Sequence, residues 1–130
     1  MDDDAPPRWP CPCCGYQVFT GPPGSYEICP VCGWEDDLSQ LRFAAEGGGA
    51  NELSLAGAQQ AFGRRERQGA NDLGRPPEEV GYAREQGWHP LGTDSTSIEV
   101  PEPGKDYGRT YARDSTAYYY WRRPSAGRAT

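Results

Sequence analysis

The chain has 130 residues, a formal net charge of −6, and only 35 % hydrophobic residues. That length suits one modest domain and not two cores, and the acidic balance argues against a broad nucleic-acid-binding surface or membrane association. The 17 glycines and 13 prolines leave room for only a small core, since this is nearly twice their combined average usage of about an eighth.

In chain order, residues 1–7 form an acidic, proline-containing lead expected to be disordered. Met1-Asp2-Asp3-Asp4 offers neither the positive charge nor the apolar run of a secretory signal, so a cytoplasmic location with reduced thiols is expected. Two copies of one pattern follow, Cys11-Pro12-Cys13-Cys14-Gly15 and Cys29-Pro30-Val31-Cys32-Gly33, each trailed by an aromatic residue, Tyr16 or Trp34. In CPxCG the two outer thiols point at a common centre, and the glycine permits the positive φ that turns nearby N–H groups toward sulfur. Aligning the repeats pairs Cys11 and Cys14 with Cys29 and Cys32, and leaves Cys13 opposite Val31 as the spare. Paired C-x-x-C spacing with an odd cysteine count also fits disulfides or redox chemistry, but reduced thiols favour metal. Cys11, Cys14, Cys29 and Cys32 are therefore the expected metal ligands. Zinc is the expected ion, because a closed four-thiolate site is structural; iron in a rubredoxin-like setting is the alternative.

Between the knuckles, Tyr16, Val18 and Phe19, then Tyr26 and Ile28, read as strands around Gly21-Pro22-Pro23-Gly24. Pro23-Gly24 suits the centre of a type II turn, and the expected hairpin sets the knuckles face to face. Residues 8–45 make the ribbon, and metal binding is expected to decide whether it folds, at about 10–16 kcal/mol of apparent binding free energy in zinc-finger peptides. A Gly47-Gly48-Gly49 linker leads through Asn51 or Ser54 as N-cap into a helix ending near Gly69, with Leu55, Ala58 and Phe62 on its buried stripe. Pro76-Pro77-Glu78-Glu79 predicts a short helix to about Gln86, stopped by Gly87. The zinc-ribbon domain with its helices is thus expected over 8–90, and an extension over 91–130 carries an aromatic strand, Tyr118-Tyr119-Tyr120-Trp121, and a basic tail. The fold class is α+β: a small zinc-ribbon or rubredoxin-like hairpin domain packed by one or two short helices and that strand.

CPCCGY at 11–16, PGSYEICPVCGWEDD at 23–37 and GGANELSLAGAQQAF at 48–62 together resemble the bacterial cysteine-rich CPCC family. The resemblance implies a small zinc-ribbon-like domain in a bacterial cytoplasm, and no established activity comes with it. A carboxylate often follows the SL pair in that family and would complete a capping box, whereas Gly57 stands here.

Four thiolates and one Zn²⁺ would take the chain from −6 to about −8, and Glu35, Asp36 and Asp37 deepen the negative field beside the second knuckle. Nucleic acid is thus disfavoured as a partner of the ribbon. The exception is residues 109–130, where Arg109, Arg113, Arg122, Arg123 and Arg128 mix with aromatics in a composition suited to stacking bases. An enzyme is not expected: His89 and Lys105 are single, no phosphate loop or nucleophile motif occurs, and Cys13 should be kept protonated by the negative cluster beside it. Glu35, Asp36 and Asp37 read most simply as a solvated turn, and a carboxylate pair is the sharper alternative. The function expected is a zinc-stabilised binding module, an adaptor or toxin-neutralising protein, recognising a protein partner through Tyr26, Trp34, Trp88 and the 118–121 strand. Rubredoxin-like electron transfer and nucleic-acid binding are the rivals.

Overall fold

A computed structural model describes residues 8–92 and 98–123. The acidic lead expected at 1–7, and Arg128 of the basic tail, lie outside the described residues. Strand β1 (Trp9–Pro10) pairs antiparallel with β2 (Gln17–Phe19), Trp9 against Phe19 and Pro10 against Gln17, with Val18 as the extra residue of a bulge. Pro10 has no N–H to give, which a two-stranded ribbon with free edges tolerates.

The expected pairing of Tyr16–Phe19 with Tyr26–Ile28 does not form. Each knuckle instead closes its own small hairpin, and the two are built alike. Cys11 N–H donates to Tyr16 O at 2.9 Å and Gly15 N–H to Cys11 O at 2.6 Å; Cys29 N–H donates to Trp34 O at 2.8 Å and Gly33 N–H to Cys29 O at 2.9 Å. The flanking Pro10–Gln17 pair has its counterpart in the bridge between Ile28 and Glu35. The segment around Tyr26 therefore pairs forward, with Tyr26 N–H on Asp36 O and Asp36 N–H on Glu27 O, not back onto β2. A pairing that closes a ring of a few residues costs less entropy than one across the longer loop. Gly24 takes φ +97°, as the expected turn requires. The Glu27 carboxylate accepts from Thr20 N–H and Gly21 N–H at 3.1 Å, which ties the loop shut.

Helix α1 (Leu38–Arg42) was not foreseen. It begins at Asp37, whose carboxylate accepts from Ser39 N–H at 2.9 Å and from Ser39 Oγ–H at 2.7 Å. Asp36 accepts from Ser25 Oγ–H at 2.6 Å. Both aspartates are buried, so the acidic run is not a solvated turn: two of its three carboxylates satisfy backbone and hydroxyl donors inside the fold. Helix α2 (Leu55–Arg67) starts where expected, with Ser54 as N-cap accepting from Gly57 N–H at 3.0 Å, and gives way to Gly69 at φ +76°. Asn51 is not a cap. Its side chain bonds both Glu35 N–H and Glu35 O, as an extra strand would, while Gln40 Nε2 donates to the carbonyls of Glu46, Asn51 and Leu53. The buried face of α2 is Leu55, Gln59 and Phe62, with Ala58 half-buried beside them.

Two C-terminal expectations are corrected. The helix from Pro76 to Gln86 shrinks to a 3-10 turn at Pro77–Val80, because Gly81 at φ +91° breaks it and the chain then extends to pair with the first knuckle. There Gln17 N–H donates to Ala83 O and Glu85 N–H to Gly15 O, both at 2.8 Å. The aromatic strand is likewise two 3-10 turns, Ser115–Tyr118 and Tyr120–Arg122. Three consecutive aromatics, Tyr119, Tyr120 and Trp121, are all buried. A strand would turn alternate residues outward, whereas here the chain bends at Tyr119, between the two turns, and all three side chains are interior. They join the knuckle cysteines, Phe19, Leu55 and Phe62 in one buried cluster.

Candidate metal centre

The two knuckle hairpins bring Cys11, Cys14, Cys29 and Cys32 together so that their sulfurs all lie within 4.8 Å of one another. Cys11 Sγ is 3.6 Å from Cys32 Sγ, and Cys14 Sγ is 3.7 Å from Cys29 Sγ. A tetrahedron with metal–sulfur bonds of about 2.3 Å has edges of about 3.8 Å, so a single ion fits among these four with little movement. The four cysteines singled out by aligning the repeats are the four that converge. No other group of three or more histidine, cysteine or carboxylate side chains comes together in this way among the described residues.

Cys11, Cys14 and Cys29 are fully buried, and Cys32 is half-buried. Burial pushes the Cys11 and Cys14 thiols up, whereas hydrogen bonds from Cys11 and the other thiols hold Cys32 low. Four sulfurs this close cannot all ionise without a cation, so loading a metal releases protons and acid releases the metal. Cys13 is also buried, and its thiol is pushed up by its hydrogen bond with Cys32 and by burial.

The knuckle backbones are held from outside. Pro12 O accepts from Gln59 Nε2–H at 2.9 Å and from Trp88 Nε1–H at 3.2 Å, and Cys14 O accepts from Arg84 Nε–H at 2.8 Å. Val31 O of the second knuckle accepts from Asp72 N–H at 2.9 Å, and Val31 N–H donates to Cys29 Sγ at 3.4 Å. Such outer contacts would fix the orientation of the four cysteines around an ion. Sequence reasoning missed Gln59 and Arg84 altogether. Gln59 stands four residues after Leu55 on the buried face, the one readable sign of its role.

The aromatics expected as recognition surface are mostly core. Trp34 is buried, Trp88 lies across Gly15, and Tyr119, Tyr120 and Trp121 are interior; only Tyr26, at 59 % exposure, stands out in solvent. Tyr120 bridges distant parts of the chain, accepting from Gln59 Nε2–H at 2.8 Å and donating to His89 O. His89 itself is exposed, its Nδ1 2.9 Å from Pro90 O. Of the tail arginines, Arg122 is taken by Glu85 at 2.6 and 2.8 Å and lies over the Tyr119 ring.

The fold and site define a small α+β cysteine-rich domain with a four-sulfur cluster able to hold a metal ion. The model of the family described as Cysteine-rich CPCC matches residues 9–79, more than half of the chain, and the protein belongs to that family. No curated protein matches it. The matched region holds both knuckles and both helices, and ends before Arg84, Trp88 and the 119–121 aromatics that pack against them.

Proposed function

We propose that this protein is a zinc-stabilised, zinc-ribbon-like binding module of a bacterial cytoplasm, which recognises a basic protein partner as an adaptor or a toxin-neutralising protein does. The observation that carries the reading is the closed geometry of the cluster: all four positions of a tetrahedral ion are taken by protein sulfur, and the knuckles are locked by Gln59, Arg84 and Trp88. A site with no open position serves folding and not catalysis. Zinc is the ion of choice for such a site, and its loading would bring the net charge from −6 to about −8, which draws cationic partners and repels phosphate.

No helix among the described residues is long and apolar enough to cross a membrane. Capture experiments with the zinc-loaded chain and with a chelator-treated control test the reading. It predicts a basic protein held only by the loaded form, its retention falling with salt. A retained fraction that disappears on nuclease treatment would sink it in favour of nucleic acid, and a red, reversibly bleached iron form as isolated would favour electron transfer.

A further inference from the structure

A groove of about 410 Å³ opens between α2 and the second knuckle, a volume within the range of about 300–1,000 Å³ for ligand pockets. One wall is apolar, made by Trp34, Leu53 and Phe62, and Cys32 lines it as well, the one cysteine of the cluster that is half-buried and not fully buried. Glu35 and Glu52 also line it, and neither carboxylate accepts a hydrogen bond or joins an ion pair among the described residues. Among the described residues the only cation along the groove, Arg65, is already paired with Asp72. The segments that carry the two glutamates, on either side of α1, are tied to each other. The Asn51 side chain bonds the backbone of Glu35 on both sides, and Asn51 N–H donates to Gln40 Oε1 at 2.9 Å.

We propose that this groove binds an arginine side chain presented on an extended segment of a partner protein, an assignment that rests on the basic-partner reading above and gives it a location. A four-thiolate site loaded with a divalent ion carries about two negative charges, and with two unpaired carboxylates beside an apolar wall it focuses a negative potential into the groove. Guanidinium fits that combination better than ammonium. It is weakly hydrated, tolerates an apolar wall beside it, and presents five donors in a planar fork that matches carboxylate oxygens. An apolar ligand would strand both glutamates, and a phosphate would meet like charge.

The test uses the full-length, zinc-loaded chain, ¹⁵N-labelled, titrated with acetyl-Gly-Leu-Arg-Leu-Gly-amide while backbone amide shifts are followed. A second peptide carries citrulline, which keeps the shape and removes the charge. The expected result is saturable movement of the amides of Glu35, Glu52 and Phe62, weakened at least tenfold by citrulline and at least tenfold by the pair E35Q and E52Q. Glu52 is exposed and Glu35 half-buried, and an unchanged melting temperature of the double variant shows that it is folded. Saturable shifts confined to another acidic face, such as that around Glu78 and Glu79, would overturn the groove and leave the basic-partner reading standing. Equal affinity of the arginine and citrulline peptides would overturn the charge argument. No shift anywhere at millimolar peptide would remove both.

Discussion

A β-carbon at Gly15 would lie 2.5–2.7 Å from the indole of Trp88, and the backbone there has φ +83°. Two separate penalties meet at this residue, steric overlap and a left-handed conformation, each on the order of 1–3 kcal/mol. Gly48 has nearly the same φ, +79°, but nothing within 4 Å of the position a β-carbon would take. Gly15→Ala should therefore cost several kcal/mol in denaturant melts and Gly48→Ala only the backbone part, about 1 kcal/mol. Equal losses would mean that Trp88 does not rest on the first knuckle. That both knuckle glycines need positive φ was legible from CPxCG alone. That Trp88 covers one of them was not, because the partners are 73 positions apart in a loop with no periodic pattern.

At the scale of elements, the C-terminal aromatics are held by a carboxylate. Glu85 accepts from Trp121 Nε1–H at 2.5 Å and from Arg122 at 2.6 and 2.8 Å, and these partners, Arg122 first, hold its pKa below the usual glutamate range. A carboxylate with a depressed folded pKa contributes stability above its unfolded value of about 4.3, and that contribution is lost as pH falls through the folded value. The acid limb of the stability curve below about pH 4.5 should accordingly be shallower in Glu85→Gln than in the parent chain. An unchanged limb would show that the pair contributes nothing. Tyr119, 1 % exposed and stacked on Trp121 at 4.7 Å, should cost about 3–5 kcal/mol when cut to alanine, as a core aromatic does. A silent melt would instead place it at a surface. A second tie is Arg42, whose side chain is 7 % exposed and whose guanidinium faces the rings of Phe43, Tyr107, Tyr111 and Tyr118 while bonding Glu99 at 2.9 and 3.0 Å. Helix α2 was legible from its Ser54 cap and its Leu55–Phe62 spacing, both local signals. The 119–121 segment was misread as a strand because aromatic β-propensity is a packing preference, and here packing onto the knuckles decided the backbone.

For the whole molecule, the same cluster of buried residues contains the knuckle cysteines, the α2 face and the C-terminal aromatics. Loss of metal should therefore not stop at residues 11–32. Without an ion the four sulfurs lose the bonds that would hold them together and the thiols take up protons, so the ribbon on which Gln59, Trp88 and Tyr119 rest should open and the melt should collapse as one transition when a chelator is added. Which four cysteines converge was readable in advance because it depends on spacing within two short repeats. The outer contacts were not, because they depend on how distant segments return to the knuckles.

The most direct measurement is the metal content of the native chain and of its five cysteine variants by native mass spectrometry, paired with melting temperatures. One zinc per chain is predicted for the parent and for Cys13→Ser, with metal and cooperative folding lost in Cys11→Ser, Cys14→Ser, Cys29→Ser and Cys32→Ser. Metal retained with an unchanged melt in any of those four, or lost only in Cys13→Ser, would contradict the account.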